Sequence, residues 1–221
     1  MNIPQTLLPA MLVVALAACS TTPTTNASTN LAPAIPEPAS TQALPEQEFF
    51  DRISALCGQS FAGRVLIDRP DNKGPNAFRE QPLTMHVREC SEHEIRIPFH
   101  VGNDRSRTWV LTRTGDGLRL KHDHRLQDGS DDPVTMYGGD TVSSGNAGRQ
   151  EFPVDGFSKL MFTREGMTVS NTNVWAIDIE PGQRFIYELA RTDQDRLFRV
   201  SFDLAKPVAT PPAPWGALLA H

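Results

Sequence analysis

The sequence lacks an apolar run long enough to cross a bilayer as an ordinary helix, which takes about 20 residues. Its longest apolar stretch, Leu7 to Ala18, is shorter and is broken by Pro9. It also lacks any cluster of basic residues. Its 21 Lys and Arg are interleaved with 26 Asp and Glu, for a net charge of -5, which gives no electrostatic footprint for nucleic acid. Only three cysteines are present, at 19, 57 and 90, and neither Cys57 nor Cys90 stands in a nucleophile motif. Several signatures of chemistry are missing. Val142-Ser143-Ser144-Gly145 is not the G-x-S-x-G of a nucleophile elbow. The Gly-rich run from Tyr137 to Gly148 lacks the G-K-[ST] of a phosphate loop. Asp128 to Asp132 lacks the spacing and closing Glu of a calcium loop and reads as an acidic turn.

What is present is globular composition, 39% apolar and 21% charged over 221 residues, enough for one domain with appendages. The 18 prolines cluster near both ends. Residues 19–45 are rich in Thr, Ala, Pro and Ser and show no hydrophobic periodicity, so they read as a disordered tether. Residues 206–221 read as a flexible tail. The folded domain is expected over 46–205.

At its start, Phe49, Phe50, Ile53, Leu56 and Cys57 share one side of a short helix that Gly58 ends. Period-two segments follow. Apolar and polar residues alternate around Phe61 to Asp68, Leu83 to Arg88, Glu94 to Phe99, Arg107 to Thr114, Leu118 to Arg125, Asn173 to Glu180, Arg184 to Arg191 and Leu197 to Leu204. Hairpin-length connections join the last three. This pattern predicts an all-β fold: an antiparallel up-and-down barrel or strongly curved meander with a short N-terminal helix. Pairing Val87 with Ile95 would set Arg88 opposite Glu94, a register favoured by charge. Residues 127–172 show weak periodicity and read as a lid or large loop, with a short helix over Asp155 to Phe162.

Leu16-Ala17-Ala18-Cys19, closing the apolar run, resembles the bacterial lipobox. The resemblance implies that residues 1–18 are a signal peptide and that Cys19 is lipidated. Ser20 in place of Asp implies an outer-membrane anchor facing the periplasm. The alternative is cleavage after Ala15-Leu16-Ala17, which would release a secreted soluble protein. In an exported protein, Cys57 and Cys90 are then an even pair expected to form a disulfide, stabilising by about 3–4 kcal/mol in the chain-entropy model. In layout alone the domain resembles lipocalin and calycin barrels, although Gly58 to Gly63 does not supply their G-x-W.

The most specific candidate site is His122-Asp123-His124 on a strand, where both imidazoles point to one face. Such a pair can hold a metal or ligand, but zinc needs at least a third protein ligand. Asp128, Asp140 and His100 are the candidates. His86 and His100 read as members of a solvated sheet face with Arg88 and Arg96. Asp104, Arg105 and Arg107 form a polar turn that could meet an anion with two guanidiniums or organise itself. Trp109, Trp175, Tyr187 and Phe198, with Phe185 and Phe202, line a cavity or fill the core. A barrel of about eight strands holds side chains or one small ligand. The leading expectation is a lipid-anchored envelope protein binding a small, partly apolar ligand or envelope component. The alternatives are a filled interaction module and, third, a hydrolytic or metal enzyme using His122 to His124. No cofactor and no nucleic-acid partner are expected.

Overall fold

The computed structural model describes residues 43–71 and 74–217. Residues 1–18, Cys19 and the tether as far as residue 42 lie outside the described residues. Helix α1, Pro45–Ser54, opens with proline, carries Glu46 and Glu48 in its first turn and Arg52 in its last, and so complements its own dipole. It buries Phe49, Phe50 and Ile53. The helix stops short of Cys57 because the chain turns over Ala55 to Gly58, where Gly58 takes φ +81°.

The rest is antiparallel sheet wrapped into a nearly closed barrel. Its strands are β1 Ser60–Arg69, β2 Leu83–His86, β3 Glu89–Cys90, β4 Glu94–Val101, β5 Asp104–Thr114, β6 Gly117–His124, β7 Tyr137–Asp140, β8 Arg149–Pro153, β9 Asn173–Glu180, β10 Arg184–Arg191 and β11 Leu197–Val208. Around the barrel they run β7-β6-β5-β4-β2-β1-β11-β10-β9-β8, and β3 pairs with β4 off this path. Short helices α2, Ala77–Glu80, and α3, Gly156–Arg164, sit in the connections. Alternation sends Phe61, Met85, Ile97, Trp109, Leu120, Ile177, Phe185 and Phe202 into one interior, each under 3% exposed. Helix α1 plugs the end at the β5–β6 turn, where the Arg113 guanidinium lies 4.0 Å over the Phe50 ring and pairs with Asp51 at 2.5 Å. The Cys57–Cys90 disulfide ties the exit of α1 to β3.

Residues 127–172 form the seam of the barrel and not a lid. Asp155 donates its N–H to the Gly138 carbonyl at 2.9 Å. The Ser158 hydroxyl accepts from Gly138 N–H at 2.8 Å and donates to its carbonyl at 3.2 Å. A Cβ on Gly139 would lie 1.7 Å from the Pro153 carbonyl oxygen, so β7 can approach β8 only without one. Strand β7 carries glycine where alternation would need side chains, and β8 is only five residues long, which hides both from periodicity.

The β2–β4 register also differs from the expected one. Met85 faces Phe99, Glu89 of β3 faces Arg96, and Arg88 N–H donates to the Arg96 carbonyl at 3.0 Å, so Arg88 does not stand opposite Glu94. Both arginines find acids: Arg88 pairs with Glu89 at 3.2 Å, while Arg96 reaches Glu94 at 3.3 Å and Asp123 at 2.5 Å.

The C-terminal stretch is placed where composition predicts only a tail. Strand β11 continues to Val208 beside Ser60. Farther on, Trp215 N–H donates to the Arg105 carbonyl at 3.0 Å and Arg105 donates to the Ala213 carbonyl at 2.9 Å. Residues 209–214 therefore cross the outer face of β2, β4 and β5 as a strap. His86 and His100, expected in water, lie on that face and are 5% and 4% exposed.

The seam makes a sharp prediction. Gly139→Ala is expected to destabilise the barrel by about 3 kcal/mol or more through forced separation of β7 and β8. Gly115→Ala, where nothing lies within 4 Å of the added Cβ, is expected to change stability by no more than about 0.5 kcal/mol. Urea unfolding of both variants reads the difference.

Candidate functional site

At the end of the barrel opposite α1 the interior opens into a cavity of about 330 Å³. Trp109 and Tyr187 stack at its base, ring centroids 4.5 Å apart, and Phe99 stacks on Trp109 at 4.9 Å. Phe198 and Leu189 form one wall, and Phe78 of α2 packs edge-on to Phe198 at 5.1 Å. The mouth is polar, with Arg107, Arg196, Asp68 and Asn76. Strand geometry explains the transition from oily to wet: Arg107 precedes Trp109 by two residues on β5 and so shares its inward face.

His122 forms the buried back of the cavity. Its Nδ1 lies 3.0 Å from the Tyr137 carbonyl oxygen and its Nε2 2.8 Å from the Tyr187 hydroxyl. A carbonyl can only accept, so Nδ1 carries the proton and Nε2 accepts from Tyr187. Burial pushes the His122 pKa down to about 3, and the ring stays neutral. Burial pushes the Tyr137 phenol up to about 12 and the Tyr187 phenol well above its ordinary value. The base of the pocket is thus uncharged.

His122 and His124 do share a face, but they do not converge. His124 lies at the edge, with Nε2 3.4 Å from the Ser106 hydroxyl and Nδ1 3.4 Å from Asp132. Asp123 points outward and pairs with Arg96 and with Arg125 at 2.6 Å. Both nitrogens of His122 are engaged, so a metal there would have to break the Tyr137 and Tyr187 bonds. Among the described residues, no three His, Cys, Asp or Glu side chains gather as a metal site. Asp140 pairs with Arg119 at 2.6 Å, Asp128 holds the Ser130 turn, and His100 lies under the strap.

Of the aromatic candidates, Trp109, Tyr187 and Phe198 line the cavity. Trp175 stands behind His122, ring centroids 5.1 Å apart, in the core. Sequence reasoning did not bring Arg196, Asp68, Phe78 or Tyr137 to the site. Arg107 was legible from its parity with Trp109, whereas the others arrive from distant strands and connections. A larger hollow of about 630 Å³ lies outside the barrel between the strap and β4 to β6. Its charged walls, Arg96, Asp123 and Arg125, already satisfy one another.

The buried histidines predict acid sensitivity. Burial, with help from Arg105, holds His100 at about 4. In the unfolded chain both rings protonate below about 6.5. Between that pH and about 4 the unfolded chain binds protons that the native barrel refuses, so stability present above 6.5 is lost as pH falls. Each ring adds a slope of up to about 1.4 kcal/mol per pH unit. Urea midpoints measured from pH 7.5 to 5 are expected to fall, and less steeply in His122→Gln or His100→Asn; unchanged slopes would show that these rings are not buried neutral. No protein-family model and no curated protein matches this chain, so the chemistry of the pocket rests on its own geometry.

Proposed function

We propose that this protein is a lipid-anchored envelope protein that binds a small, partly apolar ligand in the open end of its barrel. The cavity carries the reading: it is concave, floored by stacked aromatic rings and rimmed by a few polar groups, the usual make-up of a small-molecule site. Its volume is at the lower end of the about 300–1,000 Å³ range for such sites, which favours a small ligand. Anchoring through Cys19 at the outer membrane is supported by the Leu16-Ala17-Ala18-Cys19 motif. The Cys57–Cys90 disulfide accords with an oxidising compartment.

A filled interaction module is the second reading, favoured by the dense packing of Phe61, Phe152, Trp175 and Phe185 below the cavity. Native mass spectrometry of protein isolated from its host separates the two. A small molecule that travels with the wild type and is lost from Trp109→Ala supports binding; bare protein in every preparation supports the filled module. Intact-mass analysis of the mature protein is expected to show an acylated Cys19, and a free Ala18 start would end the anchoring proposal.

A further inference from the structure

We propose that the ligand is a small monocarboxylate with a flat apolar body, its acid group held by Arg107 and Arg196 at the mouth. This deepens the ligand-binding reading above and rests on it.

Both guanidiniums line the same cavity. Each is fixed by a carboxylate that engages only one of its nitrogens, Asp104 for Arg107 and Asp68, itself in the lining, for Arg196. Arg107 Nη1 donates to Asp104 at 2.5 Å, and Asp104 is itself fixed by the Ser106 N–H at 3.0 Å. Arg196 Nη1 donates to Asp68 at 2.5 Å and to the Arg69 carbonyl at 3.0 Å. Among the described residues, Nε and Nη2 of neither arginine make a hydrogen bond to protein. That edge of a guanidinium presents two parallel donors, the spacing a carboxylate accepts.

An aromatic ring lies within cation–π range of each head. The Arg107 guanidinium lies 5.4 Å from the centre of the Phe78 ring, and that of Arg196 lies 5.6 Å from the centre of Phe198. The one acid in the lining, Asp68, is almost fully covered and is further held by Asn76 at 2.8 Å and Arg79 at 3.5 Å. Among the described residues Asp104 and Asp68 each balance one of the two mouth arginines, so a bound carboxylate would be held by the open Nε and Nη2 edges and not by excess charge. Behind the mouth, Trp109 and Tyr187 lie within 20° of parallel, a wall that suits a planar body. The neutral His122 and the two phenols at the base offer no charge for a second ionic group.

Calorimetric titration of the full-length protein with 2-naphthoate and with 2-naphthylmethanol, its neutral counterpart, tests this. The acid is expected to bind at least about tenfold more tightly, since a hydrogen bond to a charged group is worth about 1.5–3 kcal/mol. High salt is expected to narrow that gap. Arg107→Gln and Arg196→Gln are each expected to weaken the acid about tenfold and to leave the alcohol unchanged. Arg107→Lys, which keeps the charge and loses the fork, is expected to fall between. Near-UV circular dichroism of each variant reports whether the aromatic base is intact. Equal affinity for acid and alcohol would overturn the carboxylate inference and leave the pocket standing. Failure of both compounds to bind, while a host ligand is retained in native mass spectrometry, would overturn the ligand class alone. Failure of both with no retained ligand would overturn the binding reading as well.

Discussion

Closing a curved sheet requires its first and last strands to approach each other, and here backbone must pass backbone with nothing between. Gly138 and Gly139 of β7 lie against Leu120 and Pro153 at distances that leave no room for a Cβ. Ser158 then satisfies both polar groups of Gly138 from α3. Without that contact the path from β7 to β8 would be an open sheet with two bare edges. The interior aromatics would face water on one side, and Trp109, Tyr187 and His122 would not share one cavity. The pocket is therefore a product of closure as much as of its lining.

The barrel divides along its length. Toward α1 the interior is filled by Phe49, Phe50, Phe61, Phe152 and Trp175, and toward the other end the side chains become long and charged. The boundary falls at His122, whose two hydrogen bonds satisfy a buried carbonyl and a buried phenol together. A polar group at that depth is tolerated only when satisfied. Outside the barrel, Arg96, Asp123 and Arg125 on one side, and Arg149, Asp178, Glu188 and Arg199 on the other, form ion-paired patches over the sheet.

Legibility in the sequence followed the source of each signal. Strands β9 and β10 were readable to the residue, because large apolar residues recur at every second position, Trp175, Ile177 and Ile179 on one and Phe185, Tyr187 and Leu189 on the other, even though Ala176, Ile186 and Glu188 between them are also buried. The helix at Phe49 to Ile53 was readable in the same way, from apolar spacing. The all-β architecture followed from those periods. The β7–β8 seam was not legible, since its glycines mark close approach and carry no pattern. The β2–β4 register was misjudged because Arg88 and Arg96 find carboxylates on several strands, which a pairwise rule cannot count. His86 and His100 read as exposed because alternation puts them on the outer sheet face, yet there they are only 5% and 4% exposed. At the site, Trp109, Tyr187, Phe198 and His122 could be named in advance, and the two arginines could not be brought together. Arg196 reaches the mouth only through its pairing with Asp68 across β1 and β11.

The placement of α1 has a bearing on orientation. The described chain begins at Ala43, on the plugged end, and the opening lies at the far end of the barrel. The mouth is thus left clear of the segment by which the described chain enters, as the rim of a cup is clear of its foot.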